Sequence, residues 1–112
     1  MKYEELRQYS DDEIHEIMSA GDVEKMKLLP LSIGEYHCDF SFAQNLCVEL
    51  LKTSADDEIR ANAVLGLSYL ARRFRRLDKI IIPDLQNEMK NNKAFIDRVE
   101  YSIEDIFFFM GW

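Results

Sequence analysis

The chain has 112 residues, which is enough for one domain and too few for two. A hydrophobic content of 47% and a charged content of 31% exclude a disordered tail, and the scarcity of glycine (4) and proline (2) argues against a turn-rich β-sandwich. The sequence contains no apolar run of the roughly 18 residues that span a membrane and begins without a secretory signal, so we expect a cytoplasmic protein.

Acidic residues outnumber basic ones, and they are concentrated in the first half of the chain. The net charge is −7; residues 1–58 contain 14 acidic and 5 basic side chains (net −9), and residues 59–112 contain 7 and 9 (net +2). An acidic half would repel nucleic acid and speed the encounter with a basic partner. The alternative interpretation is that the acidic charge serves only solubility.

The first segment is predicted to contain two short helices. We expect one over residues 3–8 and a second from Ser10, because Ser-Asp-Asp-Glu matches a capping box in which Ser10 and Glu13 each accept a backbone N–H. Apolar residues then recur on one helical face, and Gly21 is suited to end the helix.

A further helix is predicted between Asp22 and Pro30. Asp22 is a favourable N-cap, and the apolar side chains of Val23, Met26 and Leu29 follow at helical spacing. Because a proline disfavours helical geometry in the residue before it, the helix is expected to stop there. Residues 31–39 are then predicted to form a loop.

The remaining sequence has a stronger helical periodicity. One helix is predicted from Asp39 to an interruption at residues 53–57, which also supplies the cap of the next helix. Another begins near Asp78 and is interrupted early by Pro83, and the last covers residues 94–110.

An internal repeat relates these helices. A shift of 36 residues places five apolar positions on five others. The first set is Ile59, Ala63, Leu67, Leu70 and Phe74, and the second is Phe95, Val99, Ile103, Ile106 and Met110. A shift of 39 places Ala43, Leu46 and Leu50 on Ile82, Leu85 and Met89. A period of nearly 40 residues is typical of HEAT and armadillo units.

Residues 57–67 resemble the second helix of a HEAT repeat, with an acidic residue, Ile-Arg, an alanine and Leu-Gly at the expected spacing. Small residues at 63 and 66 allow helices to approach closely, and the resemblance implies that Arg60 pairs with Asp56 or Asp57. We therefore expect an all-α fold, a right-handed α-solenoid of six to seven helices in HEAT/armadillo-like hairpins. The predicted single domain is 1–112, with hairpins at 11–29, 39–76 and 78–110.

No constellation for catalysis is present. The two histidines, His15 and His37, form no zinc motif, no glycine-rich phosphate loop occurs, and Cys47 has no histidine nearby. We expect His37 in a solvated loop, His15 paired with Asp11, and both cysteines reduced. The sequence therefore predicts no enzyme, no metal and no cofactor.

Four arginines, at positions 72, 73, 75 and 76, are the one feature that favours nucleic acid. The structural alternative is that cations at a helix C-terminus complement the helix dipole and pair with nearby acids. Because the first half of the chain carries −9, we expect no direct nucleic-acid binding.

Several segments together form a wider pattern. They are Phe-Ala-Gln-Asn-Leu-Cys-Val-Glu-Leu-Leu at 42–51, Ile-Arg at 59–60, Leu-Gly at 65–66, Leu-Ala-Arg at 70–72 and Leu-Asp-Lys at 77–79, followed by Pro83. Over roughly residues 11–106 this pattern resembles small bacterial HEAT-like proteins, often immunity proteins encoded beside polymorphic toxins, including those of contact-dependent growth inhibition. The resemblance implies a monomeric inhibitor of a cognate toxin domain, a ribonuclease in our interpretation, and the acidic charge is complementary to such a partner.

The candidate partner surface is a pair of rows beside the buried stripes. One row is Asn62, Leu65, Tyr69, Arg72 and Arg76, and the shift of 36 gives Arg98, Tyr101, Asp105, Phe108 and Trp112. We expect these rows to lie side by side, because residues of these types are enriched at binding hot spots. The predicted anchors are Tyr69, Tyr101, Asp105, Phe108 and Trp112, with Asp56, Asp57 and Glu58 as an acidic rim.

Three alternatives remain open. In the first, the aromatic residues at the end of the chain do not bind a partner but fold back and cap the repeat. The chain would otherwise be a HEAT-type scaffold that binds a host protein, or a nucleic-acid-binding repeat that uses its arginine run.

Overall fold

The computed structural model describes residues 6–112, and this part of the chain contains six α-helices, one 3-10 turn and no β-strand. The elements are α1 (Asp11–Ala20), α2 (Val23–Tyr36), α3 (Phe40–Thr53), α4 (Asp57–Phe74), a 3-10 turn (Lys79–Ile81), α5 (Ile82–Asn91) and α6 (Ile96–Met110). The predicted all-α class is confirmed. Within residues 6–112, none of the helices has both the length and the hydropathy that a membrane-spanning segment requires.

Helices α2 and α4 pack side by side and run in the same direction. Near the start of both helices, Asn62 Nδ2 donates a hydrogen bond of 2.8 Å to the Lys27 carbonyl. Near their end, Arg73 Nη1 donates to the Gly34 carbonyl at 2.7 Å. Residues early in α2 thus contact residues early in α4, and late residues contact late ones, so the two helices are parallel.

Helix α6 packs on the opposite side of α4 and is also parallel to it. Arg98 Nη1 donates to Asn62 Oδ1 at 2.7 Å early in the two helices. Beyond the end of α4, the Arg75 guanidinium lies 4.8 Å from the centre of the Phe109 ring. Helix α4 is thus the centre of a layer formed by α2, α4 and α6.

Each helix of this layer also packs against the helix that precedes it in the chain, α1 with α2, α3 with α4 and α5 with α6. The first two pairs are antiparallel. Asp11 at the start of α1 contacts His37 at the end of α2, and the ring of Phe40 at the start of α3 lies 5.4 Å from that of Phe74 at the end of α4.

The offset of 36 residues relates equivalent buried positions of α4 and α6. Ile59, Ala63, Leu67 and Leu70 are buried, as are Val99, Ile103 and Ile106. The remaining members of the two sets, Phe74, Phe95 and Met110, are partly buried against this core.

The prediction that the second hairpin helix stops before Pro30 is wrong, because α2 continues to Tyr36. Pro30 lacks the N–H that would bond to the carbonyl four residues earlier, at a cost of about 3 kcal/mol in a helix interior. Burial offsets this cost, since Leu29, Pro30 and Ile33 are all buried in α2. Residues 31–36 are therefore helical and not the predicted loop.

The helix predicted at residues 3–8 is also wrong where it can be checked. Residues 6–10 are not helical, and residues 3–5 lie outside the described part of the chain. This segment has no regular structure and is held against α2, because Ser32 Oγ donates to the Arg7 carbonyl and the Tyr9 side chain is buried.

The predicted helix ends are confirmed at several sites. Ser10 and Glu13 form the complete capping box of α1, and Gly21 ends this helix with a left-handed φ of 67°. Asp39 and Asp56 cap α3 and α4 through their carboxylates. Asp caps are favourable because they satisfy N–H groups that have no partner within the helix.

Candidate partner-binding site

A cleft between α4 and α6 brings together three of the predicted anchors, Tyr69, Tyr101 and Asp105. Its volume is about 410 Å³. The α4 wall is formed by Leu65, Ser68, Tyr69 and Arg72, and the α6 wall by Arg98, Tyr101, Asp105 and Phe109.

Helical periodicity places these side chains in rows. Residues three and four apart lie on one helix face, so Leu65, Tyr69 and Arg72 follow one another along α4. The offset of 36 residues leads from Leu65 and Tyr69 to Tyr101 and Asp105 on α6. Because α4 and α6 run parallel in this register, the two rows lie side by side.

Both arginines of the cleft are engaged with acceptors of the chain. Arg72 Nη2 lies 2.9 Å from Glu35 Oε2. Arg98 Nη1 donates to Asn62 Oδ1 at 2.7 Å and lies 3.4 Å from Glu58 Oε2. Each guanidinium thus has one carboxylate partner, and the partner of Arg98, Glu58, is shared with Lys27.

Asp105 is the one carboxylate among the residues that line the cleft. It is partly buried, and within residues 6–112 it makes no hydrogen bond or ion pair. Tyr101 beside it is 62% exposed. Partial burial, followed by the negative charge of Glu35, raises the pKa of Tyr69, so this phenol remains a hydrogen-bond donor at neutral pH.

Two of the three predicted rim acids have structural roles at the start of α4. Asp56 Oδ1 accepts the N–H groups of Glu58 and Ile59, each at 2.9 Å. Asp57 pairs with Arg60, as the HEAT resemblance implied. These two side chains serve the fold and do not line the cleft.

Glu58 connects the rim to the cleft. It pairs with Lys27 of α2 at 3.3 Å and, through its other oxygen, with Arg98 of α6 at 3.4 Å. Hydrogen bonds to Glu24 and then Glu58 raise the pKa of Lys27, so this ammonium remains charged. Of the three predicted rim acids, Glu58 is therefore the one that reaches the cleft.

The two aromatic anchors at the end of α6 have different surroundings. Phe108 is 77% exposed, and its ring lies 5.3 Å from that of the cleft residue Phe109. Trp112 turns back and packs edge-on against Phe107, with ring centres 5.8 Å apart. Neither Phe108 nor Trp112 lines the cleft, and Trp112 adopts the fold-back of the alternative interpretation.

The arginine run has structural contacts at each position. Arg73 donates to the carbonyls of Gly34 and His37 at 2.7 and 2.8 Å, which are near the C-terminus of α2. The guanidinium groups of Arg75 and Arg76 lie 4.8 and 4.4 Å from the centres of aromatic rings in α6 and α3. With Arg72 paired to an acid, these contacts support the structural interpretation of the run.

Sequence reasoning missed some features of the cleft. Asn62 was predicted in the open row, but it is only 4% exposed because its amide bridges α2 and α6. The sequence pattern places Glu35 in a loop, whereas it lies in α2 and pairs with Arg72. Phe109 had a weak signal, since one of three consecutive phenylalanines must leave the core face.

His37 lies in a loop, as predicted, but it is buried and not solvated. Its Nδ1 accepts the Asp39 N–H at 3.1 Å, its Nε2 lies 3.1 Å from Asp11 Oδ1, and its ring stacks on Phe42. Asp11 thus contacts His37, whereas the sequence predicted a pair between Asp11 and His15. Among residues 6–112, no three His, Cys, Asp or Glu side chains are arranged to hold a metal ion.

A second groove lies between α1 and α3 and has a volume of about 350 Å³. It is lined by Asp11, Ile14, His15, Met18, Phe42, Leu46 and Glu49. Its lining combines apolar side chains with the carboxylates of Asp11 and Glu49.

The arrangement of these helices resembles that of a protein of known structure. The fold matches a chain in the "Crystal structure of CDI complex from Cupriavidus taiwanensis LMG 19424", with a TM-score of 0.77, 24% sequence identity and 97% of each chain covered. At this identity the likeness establishes the fold. No protein-family model and no curated protein sequence matches the chain.

Proposed function

We propose that the chain is an immunity protein that binds and neutralises a cognate bacterial toxin domain. The observation that carries the proposal is the fold shared, over 97% of both molecules, with a chain from a CDI complex. Contact-dependent growth inhibition pairs a toxin with its immunity protein, and the pattern over residues 11–106 resembles such proteins independently of the structural match.

The three helix pairs are proposed to form a HEAT-like, right-handed stack. The parallel order of α2, α4 and α6 and the offset of 36 residues support this interpretation. Close approach of α2 to α4 at Gly34 and Gly66 agrees with the small residues of the HEAT pattern.

The toxin is proposed to lie across the α4–α6 cleft. Tyrosine and arginine are enriched at binding hot spots, and the cleft provides Tyr69 and Tyr101. Phenylalanine is enriched at protein interfaces, and Phe108 is exposed near the end of α6. Arg72 and Arg98 add hydrogen-bond donors that are held in place by their ion pairs, and these ion pairs keep the net charge of the cleft small.

The partner is proposed to be a basic ribonuclease whose substrate cleft becomes covered. An enzyme that holds RNA presents positive charge, and the net charge of −9 over residues 1–58 would attract it. Inhibition by coverage needs no catalysis, cofactor or second copy of this chain. The inhibitor would act in the cytoplasm, where the RNA is.

Co-expression with the toxin domain encoded immediately upstream of this chain's gene tests the proposal. We expect cells that produce both proteins to survive and cells that produce the toxin domain alone to die. Death of both cultures, with this chain soluble and folded, would contradict an immunity function.

Alanine at Tyr69, Tyr101 or Asp105 should weaken binding of that toxin domain by about 2 kcal/mol or more at each position that is a hot spot. Circular dichroism should show unchanged helicity. Tyr36→Ala is the matched control, because Tyr36 is exposed on α2 and outside the cleft. If all three variants bind and protect like the parent, the interface lies elsewhere, with the α1–α3 groove as the next candidate.

The scaffold and nucleic-acid alternatives have separate readouts. A scaffold for a host protein would give no protection against the upstream toxin. A nucleic-acid binder would shift labelled RNA at micromolar concentration, and that shift would weaken when Arg72, Arg73, Arg75 and Arg76 become alanine. We expect no such shift.

A further inference from the structure

The α4–α6 cleft contains one carboxylate, Asp105, that forms no ion pair with either of the two arginines lining the same cleft. Arg72 pairs with Glu35 at 2.9 Å, and Arg98 pairs with Glu58 at 3.4 Å. Asp105 makes no ion pair or hydrogen bond in the described part of the chain, although it is partly buried. A carboxylate without a partner attracts cationic groups, so this position favours a cation as its occupant.

The open tyrosine lies next to this carboxylate. Tyr101 and Asp105 are four residues apart on α6, so their side chains occupy the same helix face. Tyr101 is 62% exposed, and within residues 6–112 its ring contacts no cation and no other ring. One face of an aromatic ring and one carboxylate are thus free side by side.

On the opposite wall of the cleft, a tyrosine ring and a carboxylate both contact one arginine. The Arg72 guanidinium lies 5.1 Å from the centre of the Tyr69 ring and pairs with Glu35 at 2.9 Å. Tyrosine, carboxylate and arginine therefore form a complete set on the α4 side. On the α6 side, Tyr101 and Asp105 form the same set without the arginine.

We propose that an arginine side chain of the toxin occupies this position, stacked on Tyr101 and paired with Asp105. The inference rests on the proposed immunity function and specifies the chemistry of its central contact. Arginine fits better than lysine, because its planar guanidinium stacks on rings and bonds a carboxylate through two N–H groups. An anion fits poorly, because both arginines of the cleft are already paired.

The first test compares two carboxylates that are adjacent on α6. Asp105→Asn removes the cleft carboxylate, and Glu104→Gln removes an exposed charge outside it. Dissociation from the upstream toxin domain is measured by surface plasmon resonance. We expect Asp105→Asn to raise koff roughly 30-fold or more and Glu104→Gln to raise it less than about threefold. Equal koff values for the two variants would overturn the inference while leaving the immunity function intact.

The second test needs no toxin. N-acetyl-arginine amide is titrated into the isolated chain, and backbone amide shifts are followed by NMR, with the uncharged N-acetyl-citrulline amide as control. We expect saturable shifts at Tyr101 and Asp105 with the arginine compound alone, and none in Asp105→Asn. If the chain shows these shifts but does not bind the toxin domain, the proposed immunity function is refuted while the arginine-binding site at Tyr101 and Asp105 is supported. Equal response to citrulline, no saturable shift, or a response to inorganic phosphate at Arg72 and Arg98 would overturn the inference.

Discussion

Glu13 has two hydrogen-bonding roles at the start of α1. Its Oε2 forms an ion pair of 2.6 Å with Arg7, and its Oε1 accepts the Ser10 N–H at 3.1 Å. The bond from Arg7, followed by the bond from Ser10, lowers the pKa of Glu13 to about 2. The side chain thus joins the extended N-terminal segment to the capping box.

This lowered pKa makes the fold sensitive to acid in a defined range. A carboxylate with a depressed folded-state pKa adds stability above its unfolded value of 4.5, and this stability is lost as the pH falls towards 2. Glu13→Gln should therefore unfold at lower urea concentration than the parent at pH 6, with the difference shrinking between pH 4.5 and 2. Circular dichroism at a series of pH values measures it.

Glu16→Gln is the matched control for this experiment, since Glu16 is exposed on the same helix and has no hydrogen bond within residues 6–112. A gap between Glu13→Gln and the parent that stays constant from pH 6 to pH 2 would show that the charge of Glu13 is not responsible.

Cys47 illustrates a residue whose role was clear from periodicity. It is fully buried on the core face of α3, and burial raises its thiol pKa to about 12. A thiol that remains protonated at neutral pH is a poor nucleophile. Its environment therefore favours packing over catalysis.

At the scale of helices, α2 and α4 approach each other closely at two glycines. A Cβ added at Gly34 would lie 2.5 Å from the Gly66 carbonyl oxygen, and one at Gly66 would meet the Pro30 carbonyl oxygen. Since both obstacles are backbone atoms, neither can rotate away. The two glycines therefore set the distance between the helices.

Gly66→Ala should destabilise the protein by about 2 kcal/mol, because forced separation of packed helices outweighs the roughly 1 kcal/mol that alanine gains in helix propensity. Chemical unfolding measures the loss. Gly34→Ala acts at the same crossing, so the double variant should lose less than the sum of the two single losses. Strict additivity, or a stabilised Gly66→Ala variant, would contradict this account of the crossing.

A polar network joins α4 to the last helix pair. Arg60 Nε donates to both carboxylate oxygens of Glu88 at 3.1 and 3.2 Å, and Asn92 Nδ2 donates to Glu88 at 2.7 Å and to the Asp57 carbonyl at 2.8 Å. Glu88 is only 5% exposed. The HEAT pattern indicated the local partner of Arg60, whereas Glu88 is 28 residues away and no local pattern points to it.

At the scale of the whole molecule, the uneven distribution of charge should change the rate of association with a charged partner. Asp56 and Asp57 cap or stabilise α4, so reversing their charge would damage the helix as well as any steering. Glu16 and Glu49 are better probes, because both are exposed on the acidic half and make no side-chain ion pair within residues 6–112.

The double variant Glu16→Gln, Glu49→Gln should bind the upstream toxin domain with a lower kon at low salt, by roughly twofold to tenfold, because two steering charges are lost. The difference should shrink at physiological salt, where screening acts over about 8 Å. Stopped-flow measurements at both salt concentrations test this expectation. Asp97→Asn, Glu100→Gln changes the net charge equally on α6, so an equal effect there would assign the steering to net charge rather than to the acidic half.

The sequence by itself determined the helical class, most helix ends and most of the core. Capping residues such as Ser10, Asp39 and Asp56 act on N–H groups two or three residues away, and apolar periodicity acts within one helix. Both are local, and the structure agrees with them. The offset of 36 residues even indicated that Tyr69, Tyr101 and Asp105 belong to neighbouring rows.

Only the tertiary structure decided the course of α2, the surroundings of His37 and the charge balance of the cleft. Local propensity predicts a helix end at Pro30, but burial of α2 against α4 outweighs it. The pairing of Arg72 with Glu35 and the solitary Asp105 depend on residues brought together from different helices. Such contacts arise from packing between distant segments, and their free energy is not encoded in any one segment.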